Sequence, residues 1–275
     1  MKKTDNVSEL AEIARQIRIN VLKMIHLAAS GHPGGSLSAV EILVSLYFSK
    51  MNHSPSHSKT DKRDKFVLSK GHGAPVLYSV LAKCGYFPEE ELWTLRKFNS
   101  TLSGHPYAPS TPGVEITTGS LGQGLSQANG LALAGRLNKD DSIVYCLMGD
   151  GETQEGQIWE AAMTASHYKL GTMVAFIDNN ELQIDGFVRD IMGIEPIAKK
   201  WEAFGWHVQE IDGHDFGAIS SAIEKAKAEK ERPSLIKCRT VKGKGVSFME
   251  NLAKWHGTAP NADELKKALA ELGVA

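Results

Sequence analysis

Two apolar runs with one helical stretch between them constrain this chain more than any other feature. Ile143-Val-Tyr-Cys-Leu-Met148 runs into Gly149-Asp150-Gly151, and Met173-Val-Ala-Phe-Ile177 runs into Asp178-Asn179-Asn180. Between them Ile158, Ala162, Ala165 and Leu170 recur at helical spacing. Strand, helix, strand in this compass is a right-handed βαβ unit with both strands parallel. Parallel strands end on one edge, which places Asp150 and Asn180 side by side where open α/β sheets bind ligands. A carboxylate and a carboxamide oxygen there, beside glycines that open a helix, suit a hard cation holding a phosphate. The expected fold class is α/β, an open, mostly parallel sheet flanked by helices.

The rest of the chain fits around that unit. A 275-residue chain with 42% hydrophobic residues can bury a full core, and the absence of any linker, repeat or low-complexity segment predicts one domain over residues 1–275. A net charge of −1 gives no basic face for nucleic acid, and no run of 18 apolar residues predicts a membrane span. Cys84, Cys146 and Cys238 lie far apart in apolar stretches and read as reduced core thiols of a cytoplasmic protein. Residues 8–30 form an amphipathic helix with a C-cap at Ser30-Gly31, and Ser36 or Ser38 caps a second helix to about Phe48. A polar connection over 51–65 leads to a strand at 66–68, then to helices ending at Cys84 and starting at Pro88. After an irregular stretch, 118–124 opens a helix to about Leu137. Beyond the central unit come a helix at 196–204, a strand at 207–211, an Asp215-capped helix, a strand to Thr240, and a last helix capped by Asn261 or Asp263.

Each motif has a plain structural reading beside its chemical one. Gly149-Asp150-Gly151 could be only a tight turn. It could also be a dinucleotide loop, with Asp178 as the ribose-binding acid, but the third glycine of that fingerprint is replaced by Gln154. Glu152 and Glu155 at the helix start would repel a pyrophosphate approached without a cation. A Mg²⁺-bridged diphosphate answers both objections, the cation neutralising the phosphate and taking Asp150 and Asn180 into its octahedron. Of ten histidines, His32, His72, His105 and His256 each neighbour a glycine in an expected loop, which leaves the imidazole unobstructed. His26, His53, His57, His167, His207 and His214 take structural readings in helices, a polar connection, a strand and a turn. Zinc is a further possibility for the four loop histidines, without His-x₃-His spacing or a Cys pair to support it.

GDG followed after residues 152–178 by Asn179-Asn180 matches the thiamine diphosphate motif, and the wording GDGETQEGQIWEAA and DNNELQIDG resembles transketolases. The histidines of that family, in GHPG, LS-x-GH, GHP and a late HG, stand here in order as His32, His72, His105 and His256. The resemblance covers nearly the whole chain but only the amino-terminal, diphosphate-binding domain of a full-length transketolase. It implies the thiamine diphosphate-binding fold, with Mg²⁺ held by Asp150, Asn180 and the Leu182 carbonyl, and Gly151 touching the diphosphate. It places Gly119 and Leu121 at the aminopyrimidine, Ile184 near the thiazolium, and Glu155 in an acidic cluster between the two cofactor sites of a dimer. The histidines would bind donor hydroxyls and the diphosphate and assist proton transfer. Ser120 stands where the family has proline, a departure expected to be tolerated. Lys244 is expected at the rim of the site, since Lys242–Gly245 lacks the full P-loop pattern.

In that family the glutamate beside the pyrimidine, and the arginines that hold substrate phosphate, come from the following domain, which this sequence does not contain. The chain is therefore expected to be the amino-terminal subunit of a split, cytoplasmic transketolase. It would need a carboxy-terminal, pyrimidine-binding partner in a two-plus-two heterotetramer. The activity implied is two-carbon ketol transfer between sugar phosphates, as in the pentose phosphate pathway, with thiamine diphosphate carrying the electron-sink chemistry. A shortened piece of a longer protein, a carboligase of the deoxyxylulose-phosphate synthase type, a nicotinamide oxidoreductase and a non-catalytic regulatory homologue remain as alternatives. The capped helix closing in Glu271–Ala275 speaks against the first.

Overall fold

The computed structural model describes residues 3–56 and 62–274, so His57 and the middle of the polar connection lie outside the described residues. Helix α1 (Val7–Ala28) starts where the Asn6 side chain accepts from the Ser8 and Glu9 N–H groups, and it buries Leu10, Ile17, Val21 and Met24. It closes at Ala29, at φ +48°, rather than at Ser30-Gly31. Gly31 serves the next turn instead: at φ +149° its backbone lies so close to Ile25 that a Cβ would meet it at 2.9 Å. The expected single helix to Phe48 is two: α2 (Pro33–Leu37), with Pro33 in its first turn, and α3 (Val40–Ser45), which ends in a π turn over Leu46–Lys50. The serines read as caps are used otherwise. Ser36 Oγ donates back to the His32 carbonyl at 2.8 Å, and Ser38 Oγ donates to Asp178 at 2.6 Å.

Strand β1 (Lys65–Leu68) and helix α4 (Ala74–Lys83) follow, whereas the helix expected from Pro88 is a 3₁₀ turn over Glu89–Thr94, stopped by an extended Leu95 and a left-handed Arg96. Helix α5 (Gln123–Leu137) leads into the central unit of β2 (Val144–Gly149), α6 (Gly156–His167) and β3 (Met173–Asn179). Then come α7 (Val188–Ile191), α8 (Ile197–Ala203), β4 (His207–Asp212), α9 (Phe216–Ala228), β5 (Ser234–Arg239) and α10 (Ala262–Glu271). Asp215 caps α9 through the Gly217 and Ala218 N–H groups, and Asn261 caps α10 in a reciprocal capping box with Glu264.

The five strands form one sheet in the order β1-β2-β3-β5-β4, every pairing parallel. Both faces are covered, which is why its strands are continuous apolar runs. Tyr145, Leu147, Val174 and Phe176 face a core shared with α1, α3, α4 and α9, while Val144, Cys146, Met148, Ala175 and Ile177 face α5, α6 and α8. The three cysteines are buried and unbonded to one another, and burial pushes the Cys84 thiol up to about 12. No described helix is long and apolar enough to cross a membrane. All five strands point their carboxyl ends to one edge, and the loops leaving β1, β2, β3 and β5 carry Lys70–His72, Asp150, Asn180 and Lys242 to it.

Candidate active site

β2 and β3 pair in register to Gly149 and Asp178, so Asp150 and Asn180 leave neighbouring strand ends. Asp150 is 2% exposed. Its carboxylate accepts from the Glu181 N–H at 2.6 Å, the Gly151 N–H at 2.7 Å and Asn179 Nδ2 at 3.1 Å. Burial, then the charge of Asp178, push its carboxyl up to about 6 against those bonds. Asn180 Oδ1 turns the chain by accepting the Leu182 N–H at 3.1 Å. The Leu182 carbonyl accepts Lys242 Nζ at 2.9 Å, so this oxygen already faces a cation. Carboxylate, carboxamide and carbonyl form an all-oxygen set of the kind a hard cation such as Mg²⁺ takes.

The four loop histidines meet. His32, the N-cap of α2, lies with its ring centroid 5.5 Å from His72, 6.0 Å from His105 and 5.5 Å from His256, and His72 stacks on His256 at 5.2 Å. Burial is the main cause lowering all four, joined by the positive charges of Arg96, Lys70 and Lys242, and it takes His32 to about 4 and His256 to about 3. The rings are neutral at pH 7. Lys242 Nζ lies 2.9 Å from His256 Nδ1, which makes Nδ1 the acceptor and leaves the proton on Nε2. Burial and Lys70 lower the Lys242 ammonium to about 8. Among the described residues no three or more His, Cys, Asp or Glu side chains are grouped as a metal site.

A buried charge network fastens these loops together. Asp178 and Lys70 form an ion pair at 0% and 1% side-chain exposure. Asp178 also accepts from Ser38, Thr240 and Asn180 Nδ2, and Lys70 donates to the Gly35 carbonyl at 2.7 Å. Burial pushes the Asp178 carboxyl up, but Lys70 and the hydroxyl donors outweigh it and hold it below the ordinary carboxylate range. A fully buried, fully bonded carboxylate cannot reach a ribose, which removes the dinucleotide reading of Asp178. Glu152 is equally internal: it accepts from Ser69 Oγ, from the Gly122 N–H at 2.9 Å and from the Gly149 N–H at 3.0 Å, tying the 118–122 loop to the strand end.

The glycine loops approach at backbone contact, where a Cβ on Gly71 would meet Gly119 N at 2.8 Å. Gly119 sits against His105, and Leu121 is half-buried beside it in the same loop. Glu155 is exposed at the start of α6 and packs under Gly122. Ile184 is 66% exposed beyond Leu182. Lys244 Nζ pairs with Glu250 at 3.7 Å, and Lys242, 1% exposed, is the lysine of this turn that reaches the Leu182 carbonyl and His256. Lysines two apart in a turn diverge, and nothing in the residue pattern chooses between them. Lys70, Lys242 and Arg96 carry no site reading in the sequence, and Asp178 carries only the ribose-binding one. Arg96 Nη2 lies 3.5 Å from His32 Nδ1, an approach between loops that no local spacing encodes. The remaining described histidines stand outside the cluster, His26 on the Pro260 carbonyl, His53 between Tyr47 and Tyr86, and His207 on Ser234.

The family model for the transketolase thiamine diphosphate binding domain matches residues 10–275. The chain belongs to the transketolase family. It is 47% identical over 264 residues to the 6-deoxy-6-sulfo-D-fructose transketolase subunit SqwG of Clostridium sp. strain MSTE9, covering 96% of each chain. It is 43% identical to one of the subunits of the apulose-4-phosphate transketolase of Actinobacillus succinogenes, again over 96% of each. Among solved structures, transketolase from Campylobacter jejuni superposes with a TM-score of 0.92 at 35% identity, over 98% of this chain and 43% of that one. Transketolase from Pichia stipitis in complex with sedoheptulose-7-phosphate gives 0.92 at 34% identity, over 97% and 41%. The chain thus spans less than half the length of these solved relatives and nearly all of the two subunits.

Proposed function

We propose that this chain is the amino-terminal subunit of a two-subunit cytoplasmic transketolase that moves a two-carbon ketol group from a ketose donor to an aldose phosphate. The observation that carries the reading is the convergence of three neutral histidines, His72, His105 and His256, on a fourth, His32, joined through Lys242 to the oxygen set of Asp150, Asn180 and Leu182. Relatives named as transketolase subunits, matching at both their lengths, support a separate carboxy-terminal partner in a two-plus-two assembly. Those relatives are named for apulose-4-phosphate and for a 6-deoxy-6-sulfofructose, which carries a sulfonate in place of a phosphate, so the ketose donor is left open rather than assigned to the pentose phosphate pathway.

Asp150, Asn180 and the Leu182 carbonyl would hold Mg²⁺. Gly151, His72 and the Lys242 ammonium would face the cofactor's diphosphate, and Gly119, Leu121 and Ile184 would line its rings. Thiamine diphosphate, when bound, would supply the electron sink for ketol transfer. The protein residues handle the oxygens and protons of the sugar. His256 presents an Nε2–H to a donor hydroxyl, because its Nδ1 is spent on Lys242. His32 is biased the same way by Arg96 at its Nδ1. Neither His72 nor His105 has a ring-nitrogen hydrogen bond among the described residues, and a neutral ring keeps one unprotonated nitrogen that can accept a hydroxyl proton at cleavage and return it at ligation. Glu155, exposed at the start of α6, would join the acidic cluster between the two cofactor sites of the assembly.

The test is reconstitution. The purified chain should show no ketol transfer, and adding a pyrimidine-binding partner, Mg²⁺ and thiamine diphosphate should restore it. Transfer by the chain on its own would overturn the two-subunit reading. A complex that forms yet takes up no thiamine diphosphate would overturn the reaction.

A further inference from the structure

His214 stands apart from the histidine cluster, on the turn between β4 and α9, yet it is wired to it. Its Nδ1 lies 2.9 Å from Glu41 Oε2 on α3, and its Nε2 accepts the Val241 N–H at 2.8 Å. Those two bonds fix the tautomer: a backbone N–H can only donate, so Nε2 is the acceptor and Nδ1 carries the proton to the carboxylate. Glu41 is 7% exposed and is held on its other side by Arg18, itself 6% exposed, at 2.7 Å. Arg18 Nε in turn donates to the Lys244 carbonyl at 2.9 Å. The Glu41–Arg18–His214 triad therefore grips both ends of the turn 241–244, at the Val241 N–H and the Lys244 carbonyl. Within that turn Gly243 N donates to Gly34 and Lys242 O accepts from Asn251. The side chain so presented is Lys242, on the Leu182 carbonyl and His256 Nδ1.

We propose that His214, oriented by Glu41, is a positioning residue that acts through the Val241 amide to set Lys242 against Leu182 and His256. The inference rests on the functional reading above for its effect on cofactor, but not for its geometry. A turn carrying a lysine side chain into a buried site needs such an anchor, because a lysine stem has several rotatable bonds and its ammonium gains by swinging to water. A ring gripping the preceding amide fixes the direction in which that stem starts.

Two variants test it. His214→Phe fills the space but cannot accept the Val241 N–H, while His214→Gln keeps an acceptor. In the reconstituted complex, His214→Phe should weaken Mg²⁺-dependent thiamine diphosphate binding about tenfold, the usual scale for removing an outer partner of a ligand, and His214→Gln by less than about threefold. In a Lys242→Met background His214→Phe should add less than about twofold, because its effect passes through Lys242. Equal losses in both backgrounds would mean a general structural role and would overturn the proposal. In the chain without cofactor, the ¹⁵N resonance of His256 Nδ1 should move when His214→Phe releases Lys242 and stay in place in His214→Gln. An unmoved resonance in His214→Phe overturns the proposal whatever the complex binds. A wild-type complex that binds no cofactor while the resonance does move sinks only the functional reading and upholds the positioning.

Discussion

Replacing Asp178 by Asn should be among the most damaging single changes to the chain, and its size can be worked out. The carboxylate is wholly buried and its charge is matched by Lys70, whose side chain is 1% exposed. Asparagine keeps the shape and one acceptor oxygen but removes the charge, leaving the Lys70 ammonium in the interior with only neutral acceptors, the new carboxamide and the Gly35 carbonyl. Breaking a buried pair from one side costs about 3–5 kcal/mol, since the stranded charge has lost its counter-ion without regaining water. For a chain of this size that is about 6–20 °C in melting temperature. Urea unfolding should show the midpoint falling with the slope unchanged. The double variant Asp178→Asn/Lys70→Met removes both charges while keeping an acceptor for Ser38 and Thr240, and should recover most of the loss. The pH dependence has a definite sign. The folded carboxyl lies below its unfolded value of 3.8, so its contribution is present above that pH and is lost only on acidification through the lower, folded value. A loss under about 1 kcal/mol for Asp178→Asn, or a double variant no better than the single, would refute the reasoning.

Mg²⁺ binding should depend on pH through Asp150, whose carboxyl sits at about 6: the metal must displace that proton, so affinity should fall about tenfold per unit below pH 6 and release a proton there, read by calorimetry in buffers of different ionisation heat. Asp150→Asn should weaken Mg²⁺ on the order of tenfold or more at neutral pH and flatten this profile, and an unchanged profile would exclude Asp150 as the ligand. Gly71→Ala should cost about 1–3 kcal/mol and depress activity of the complex, because its Cβ would strike backbone atoms of Thr118 and Gly119 at 2.8–3.0 Å rather than a side chain that can move aside. Gly130→Ala, in helix α5 with no atom within 4 Å of the added methyl, should instead stabilise the chain by about 0.5–1 kcal/mol, and thermal melts of the two side by side check both signs.

What could be read from the sequence was whatever is encoded locally. The βαβ unit was legible because both strands are fully buried apolar runs and α6 shows its inner face at helical spacing. The Asp215 and Asn261 caps were legible because a cap is an interaction across three residues. Ser36 and Ser38 misled for the converse reason: a serine before an apolar run signals a cap, but Ser38 is spent on Asp178, 140 residues away. The π turn after α3 left no signature in residue type. The histidines were legible as a set, since each stands beside glycine in a loop, and the folded chain brings their rings within 6.0 Å of His32. Asp178 as a ribose-binding acid and Glu152 as a charge that repels a pyrophosphate both presume carboxylates open to a ligand, whereas both are consumed inside the protein. A side chain's direction across a sheet edge is set by partners on other strands.

The cations explain why the site's chemistry was less legible than its outline. Four imidazoles could be proposed from four loop motifs, but the lowering of His32, His72 and His256 depends on burial together with the charges of Lys70, Lys242 and Arg96, which arrive from the end of β1, from the turn after β5 and from the end of the 3₁₀ segment. Lysines in a glycine-rich loop look like solvated surface in a sequence. In the fold, Lys70 is neutralised by Asp178, whereas Lys242 has only oxygen and nitrogen lone pairs for partners and its ammonium is lowered to about 8. One buried lysine is therefore matched and structural. The other is an unmatched positive charge at the edge where a diphosphate would lie, held there through an amide that His214 grips. An anion at that edge would raise Lys242 back toward its ordinary value, so anion binding and protonation of this lysine should reinforce each other.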